Sequence, residues 1–252
     1  MIDKPEPLRP HAPLPDYYDD SADNTSRDAY LVSMFDATAS DYDRIERVLA
    51  FGTGRGYRRQ ALLRAGLAPG AQVLDVGIGT GLVAREALSI VGAGGSVTGV
   101  DPSAGMLAQV GDSGIELLSG RAEVLPVPDA SADFLSMGYA LRHINDLSAA
   151  FAEFGRALRP GGRLLVLEIT RPQGRVGLQL LKTYMRVAVP LIARAVAKQP
   201  HTPEMWRYYW DTIEACVPPA RVLEALTEAG FRDVRRHVEL GIFSEFTALR
   251  PA

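Results

Sequence analysis

The 252-residue chain holds little disulfide or metal chemistry. A single cysteine, Cys216, excludes an internal disulfide or a thiolate cage and suits a reducing compartment. Four histidines, none in an H-E-x-x-H or Cys/His cluster, leave no recognisable transition-metal site. Basic charge is scarce as well. Lys and Arg total 27 against 30 Asp and Glu, a net charge of −3, so attraction to nucleic acid is not expected. Residues 1–15 are Pro-rich and polar and lack the apolar core of a signal peptide. The longest apolar run, after Val187, is broken by Pro190 and Arg194, so no segment is expected to span a bilayer. Internal repeats are absent. A hydrophobic share of 47% and a charged share of 23% fit an ordinary globular protein, expected in the cytoplasm.

What the chain does have is a concentrated glycine turn. In QVLDVGIGTGL an apolar run and Asp75 precede Gly77, Gly79 and Gly81. Glycines so close behind a β-type run let the backbone turn sharply and approach a nucleotide-like group. The G-x-G-x-G spacing differs from the G-x-G-x-x-G of dinucleotide sites, which disfavours a nicotinamide oxidoreductase. Asp75 suits a ligand with a cationic end.

The periodicity around this turn alternates strand and helix. Strands are predicted at 72–76, 96–101, 116–119, 132–137 and 163–169, with helices at 82–90, 103–110 and 147–158. Ser103 is placed as an N-cap, and Pro160-Gly161-Gly162 closes the third of those helices. Repeated β-α units imply an α/β fold with a doubly wound parallel sheet. Before this block, residues 1–28 read as a flexible Pro-rich arm and 29–66 as helices. After it, residues 171–217 read as a helical insertion with a break at Pro190. Residues 218–252 read as a last helix and a hairpin turning at Gly241. The whole of 29–252 is taken as one domain.

Asp101 ends the second strand, twenty positions after Gly81, where a carboxylate can accept from both hydroxyls of a ribose. The third strand runs into RAEVLPVPD and the fourth into YALRHIND. All four strands thus end in distinctive loops on the edge where open α/β sheets bind ligands.

With these pieces the sequence resembles the class I S-adenosylmethionine-dependent methyltransferases. It is most similar to the ubiquinone/menaquinone-biosynthesis C-methyltransferases, over roughly residues 34–247. The motifs are MFDATASDYDRIERVLAFGTGRGYRRQAL, VLDVGIGTG, VDPSAGML, RAEVLPVPD, YALRHINDL, LRPGGRLLVLEIT and RYYWDTIE with LEALTEAGF and GIFSEF behind it. The resemblance implies a seven-stranded sheet of order 3-2-1-4-5-7-6 with the last strand antiparallel. N-terminal helices would precede the core at 67–170, and a cap would follow strand five. It implies S-adenosyl-L-methionine as cofactor: Asp75 for the methionine amino group, Gly77, Gly79 and Gly81 along its methionine and ribose part, and Asp101 for the ribose. Met106 would cover an adenine face, and the Ala122 N–H would meet a ring nitrogen. The residue before that alanine is often an acceptor in this family; here it is Arg121, which has none, and Glu123 or a carbonyl would substitute. For catalysis the resemblance implies Arg142 and Tyr42, with His143 where Asn is usual. A His titrates near neutrality and can serve as a base; the same swap also suits a different acceptor atom, or a surface or core-packed imidazole.

Other residues read less sharply. Glu168 suits either an acceptor contact or a cap. Arg58 and Arg59 read as surface charge. The Ser244-Glu245-Phe246 triplet replaces a small-apolar-His pattern of the quinone relatives. The segment 176–198 mixes Lys182, Arg186, Arg194 and Lys198 with aliphatics, as expected of a helix on an anionic membrane, of a cover over a greasy pocket, or of a packed cap. Trp206, Tyr208, Tyr209 and Trp210, with Tyr42 and Tyr139, suit either a pocket for a flat or prenylated acceptor or the cap's core. The leading expectation is methylation, favoured at carbon, of a hydrophobic small molecule such as a quinone precursor. An O-, N- or C-methyltransferase of secondary metabolism, or a non-catalytic cofactor-binding scaffold, are the alternatives. Peripheral membrane contact and a homodimer are both compatible with the sequence.

Overall fold

The computed structural model describes residues 7–11, 14, 16–18, 24–49, 52–199 and 201–252. Seven strands form one sheet in the order β3-β2-β1-β4-β5-β7-β6. They are β1 (Gln72–Val76), β2 (Ser96–Asp101), β3 (Glu116–Ser119), β4 (Ala132–Gly138), β5 (Leu158–Ile169), β6 (Arg232–Glu239) and β7 (Phe243–Leu249). Strands β1 to β5 pair in parallel, and β7 runs antiparallel between β5 and β6. This is the expected order. Central strands read as continuous apolar runs because both faces are covered: Leu164, Leu165, Val166 and Leu167 of β5 are all fully buried.

One face carries α2 (Gly54–Arg64), α3 (Leu82–Val91) and α4 (Ala104–Val110), and the other carries α5 (Leu147–Ala157) and α9 (Pro219–Glu228). Ser103 caps α4 as expected, its hydroxyl accepting from the Met106 N–H at 3.0 Å. The long α1 (Asn24–Leu49) and the cap helices α6 (Arg175–Thr183), α7 (Val189–Val196) and α8 (Thr202–Ala215) build a third core over the loop edge.

Five expectations are corrected. Helix α1 begins at Asn24 rather than 29. Strand β5 starts at Leu158, pairing with Ala132, and Arg159–Gly162 bulge out before Arg163 meets Phe134, so Pro160-Gly161-Gly162 sits inside a strand. Pro190 does not break the cap: helix runs from Arg175 to Val196, and a π-turn at Tyr184–Ala188 absorbs the proline's missing N–H. That 22-residue helix is long and apolar enough to cross a membrane, contrary to the reading that Pro190 and Arg194 interrupt it. Finally, the described part of the N-terminal arm is docked. The Leu147 N–H donates to the Leu8 carbonyl at 2.9 Å, the Val217 N–H to Pro10 at 2.6 Å, and Tyr17 Oη to Asp211 at 2.5 Å. The rest of that arm lies outside the described residues.

Candidate active site

A cavity opens over the C-terminal ends of β1, β2 and β4, between the strand-end loops and the helices α1 and α8. The glycine turn forms its floor. Gly77, Gly79 and Gly81 all have positive φ, at 67°, 55° and 87°. A Cβ on Gly77 would lie 2.6 Å from the Ala140 Cβ, so only glycine lets these two loops meet. Gly81 sits just behind the wall, at the N-terminus of α3, while Gly77 and Gly79 line it.

Two carboxylates face this floor. The Gly79 N–H donates to Asp101 at 2.8 Å and the Ser103 N–H to its other oxygen at 2.9 Å, which fixes the carboxylate at the tip of β2. Asp75 is 1% exposed, and its Oδ1 accepts from the Ser136 hydroxyl at 2.6 Å. Burial, with a smaller push from the Asp101 charge, raises the Asp75 pKa to about 7 against the Ser136 hydrogen bond. A cationic ligand group would reverse that shift. Met106 and Ala122 also line the cavity. Arg121 turns to Asp28 of α1 and to Glu123, 3.6 Å away, and both carboxylates line the cavity beside Ala122.

The opposite wall is aromatic. His143, in a short 3₁₀ turn after β4, meets Phe35 edge-on at 5.2 Å between ring centroids and stacks at 5.8 Å on Tyr208. Neither ring nitrogen of His143 has a hydrogen-bond partner among the described residues. Burial holds its pKa well below the usual imidazole value, and the Arg142 and Arg27 cations push the same way. The imidazole is therefore neutral well below pH 7, which corrects the expectation of a titration near neutrality. Tyr42 donates or accepts at 2.7 Å with Tyr209, and burial raises both phenol pKa values, so Tyr42 is a neutral hydroxyl.

Arg142 stands one layer behind the wall. It is fully buried, ion-paired with Glu168, and lies 4.3 Å over the Tyr209 ring. Burial opposes its charge, yet the Glu168 carboxylate holds its pKa above the ordinary arginine value. Glu168 thus serves Arg142 and the Ile169 N–H rather than the cavity. Of the aromatic cluster only Tyr209 reaches the cavity, with Tyr42 and Tyr139; Trp206, Tyr208 and Trp210 are cap core. Tyr139 takes a left-handed φ of 60° at this wall, a strained backbone of the kind found at binding sites.

Sequence reasoning missed two features. Arg58 is not surface charge: it is 5% exposed, lines the cavity and donates to Glu46 at 2.6 Å, whereas Arg59 is exposed on Ser89. The second feature is the tethering of α1. Asp28 accepts from Arg121 after β3, Asp36 from Ser103 at 2.5 Å and Gly105 at 2.8 Å after β2, and Asp43 from Thr80 after β1. Spacings of eight and seven put the three aspartates on one helical face, a signal readable beforehand. The Ser244-Glu245-Phe246 triplet is structural. Glu245 pairs with Arg64 at 2.5 Å, and Ser244 shares a 2.7 Å hydrogen bond with Thr170.

A mixed sheet of this order, with a glycine turn and two carboxylates at its loop edge, is the fold and site of a methyltransferase that uses S-adenosyl-L-methionine, the class that the family match below shows. Solved structures share the fold. A SAM-dependent methyltransferase from Aquifex aeolicus superposes with a TM-score of 0.56 at 23% identity, over 76% of this chain and 88% of that one. Phosphoethanolamine N-methyltransferase 2 of Haemonchus contortus, in complex with S-adenosyl-L-methionine, gives 0.57 at 18% identity, over 78% and 53%. The chain belongs to the ubiE/COQ5 methyltransferase family, whose model matches residues 23–249. It is 34% identical to a demethylmenaquinone methyltransferase of a Mycobacterium species (strain KMS) over 88% of this chain and 94% of that protein. It is also 34% identical to the ubiquinone/menaquinone biosynthesis C-methyltransferase UbiE of Hahella chejuensis over 81% and 84%.

Proposed function

We propose that the protein methylates a ring carbon of a quinone precursor of the kind named for its relatives, demethylmenaquinone being the first to test. The observation that carries this reading is His143: a neutral imidazole whose two nitrogens have no hydrogen-bond partner among the described residues, in the aromatic wall of the cofactor cavity. Methylation at a ring carbon, unlike methylation at oxygen or nitrogen, leaves a ring proton that a base must remove.

The residues fit the cofactor, because Gly77 leaves a backbone cradle and two carboxylates face it. Asp101 would hold the ribose hydroxyls, Asp75 the methionine ammonium and Met106 an adenine face. Ala122 would meet an adenine nitrogen, and Asp28 and Glu123 provide the acceptors that Arg121 lacks. Once bound, S-adenosyl-L-methionine supplies an electrophilic methyl group. The protein's own contribution is positioning and proton handling. Phe35, Tyr42, Tyr139 and Tyr209 hold a flat ring and exclude water. His143 takes the ring proton on a free nitrogen. Arg58, a cation on the cavity wall, stabilises an ionised ring oxygen. Arg142 acts through others, fixing Tyr209 by its cation–π contact and depressing the basicity of His143.

The secondary-metabolism alternative loses one support, since the Ser244-Glu245-Phe246 triplet is occupied with holding β7 to α2 and β5. A quinone precursor with a greasy tail resides in a bilayer, so this reading brings the protein to a cytoplasmic membrane surface at each turnover. Incubating the protein with isotopically labelled donor and reduced demethylmenaquinone, then mapping the label by mass spectrometry, tests the proposal. Label on a ring carbon is expected; label on oxygen, or none, refutes it.

A further inference from the structure

The continuous helix α6–α7 presents an apolar stripe to solvent. Val176, Leu180, Val187 and Leu191 are 75%, 68%, 53% and 59% exposed. They recur at spacings of four, seven and four, which keeps them on one face. The other face is packed: Met185, Val189 and Ala193 are buried in the cap core. A spanning orientation would strip those residues from Trp206 and Met205, so the helix can only lie along a surface. Soluble proteins seldom leave four large aliphatics so aligned without a partner.

Charge identifies the partner. In a chain of net charge −3, residues 169–203 contain no Asp or Glu, and six cations fall between Arg171 and Lys198. Lys182 and Arg186 are neutralised by Glu214 and Asp211 of α8. Arg175, Arg194 and Lys198, exposed at the two ends of the stripe, have no carboxylate partner among the described residues. Cations bracketing an exposed aliphatic row suit a helix lying in the headgroup region of anionic lipid. A second copy of the chain fits less well, because a two-fold contact through this face would bring the same unpaired cations together.

We propose that the Val176–Leu191 stripe with Arg175, Arg194 and Lys198 docks the protein on an anionic lipid bilayer. The inference rests on the proposed function for its purpose, delivery of a bilayer-resident acceptor, and on the helix alone for its geometry. Helix α7 packs on α8, and α8 carries Tyr209 into the cavity wall, so one helical layer separates the docked surface from the site.

The test is co-sedimentation of the full chain with phosphatidylcholine vesicles, with and without phosphatidylglycerol. The wild type should pellet with the mixed vesicles and be released by salt. Arg175→Gln/Arg194→Gln/Lys198→Gln should weaken partition by roughly a hundredfold. Leu180→Ser/Leu191→Ser should weaken it by roughly tenfold or more. Both variants alter exposed side chains and should retain wild-type affinity for S-adenosylhomocysteine by calorimetry. Failure of the wild type to pellet would overturn the inference, as would equal pelleting of all three proteins. So would a wild-type dimer in sedimentation velocity that Leu180→Ser/Leu191→Ser dissociates. If demethylmenaquinone is not methylated while the vesicle results hold, the functional reading falls and the docking surface stands.

Discussion

Asp75 carries the clearest consequence at the scale of single residues. A buried carboxyl whose pKa rises from 3.8 to about 7 favours the folded state when protonated, and that advantage fades as pH climbs towards 7. Ionised Asp75 therefore destabilises the cofactor-free protein above neutrality, by a few kcal/mol at ~1.4 kcal/mol per pKa unit. Asp75→Asn should raise the melting temperature at pH 8 and weaken cofactor binding. In the wild type, a cationic ligand group needs the ionised form, so affinity for S-adenosylhomocysteine should drop about tenfold for each pH unit below 7. Calorimetry in buffers of different ionisation enthalpy should show proton release on binding; none would remove Asp75 from that role.

His143 behaves differently. Its pKa is pushed down, so the turnover number at saturating cofactor, where the Asp75 effect on affinity drops out, should show no imidazole limb near neutrality and should fall only in clearly acidic solution. His143→Asn should lower turnover far more than cofactor affinity; equal losses would place it in binding. The sequence identified this position and the Asn-to-His departure, because the loop after β4 is fixed by the motif. It could not show the desolvation that makes the imidazole a weaker base, since Phe35, Tyr208 and Arg27 come from distant elements. Arg142 was equally legible as a position and illegible as a role, for its partner Glu168 lies 26 residues on.

Among the elements, α1 is the least ordinary. Its three aspartates reach the loops after β3, β2 and β1 in turn, so the helix straps the cofactor edge along its length. Each contact offers a carboxylate to donors that the strand ends leave free. Asp36→Ala removes acceptors from Ser103 and the Gly105 N–H and should cost about 1–2 kcal/mol, seen as a lower melting temperature. It should weaken S-adenosylhomocysteine binding as well, because Ser103 orients Asp101. Unchanged affinity would make the strap purely structural. Replacing Arg142 by Met should destabilise by roughly 3–5 kcal/mol by leaving Glu168 buried and unpaired, and adding Glu168→Leu should recover much of that. Periodicity predicts helices such as α1 and the cap well. It is silent on where a helix lies, which is why Pro190 looked like a break and Arg58 like surface.

For the molecule as a whole, the doubly wound sheet brings chemistry from four strand ends, one long helix and the cap to a single cavity. The strand order came with the family resemblance, and the cofactor half was legible because glycine spacing and β-α alternation are local. The acceptor half was not, because the aromatic wall joins residues as far apart as Phe35 and Tyr209. The arm shows the same contrast. Proline content suggested looseness, yet the described segment is held by hydrogen bonds to Leu147, Asp211 and Val217.

A crystal structure with S-adenosylhomocysteine bears most directly on this account. The ribose hydroxyls should lie against Asp101, with the sulfur turned to the wall of Phe35, His143 and Tyr209. An adenosyl group bound away from the glycine turn, or a sulfur facing away from His143, would contradict it.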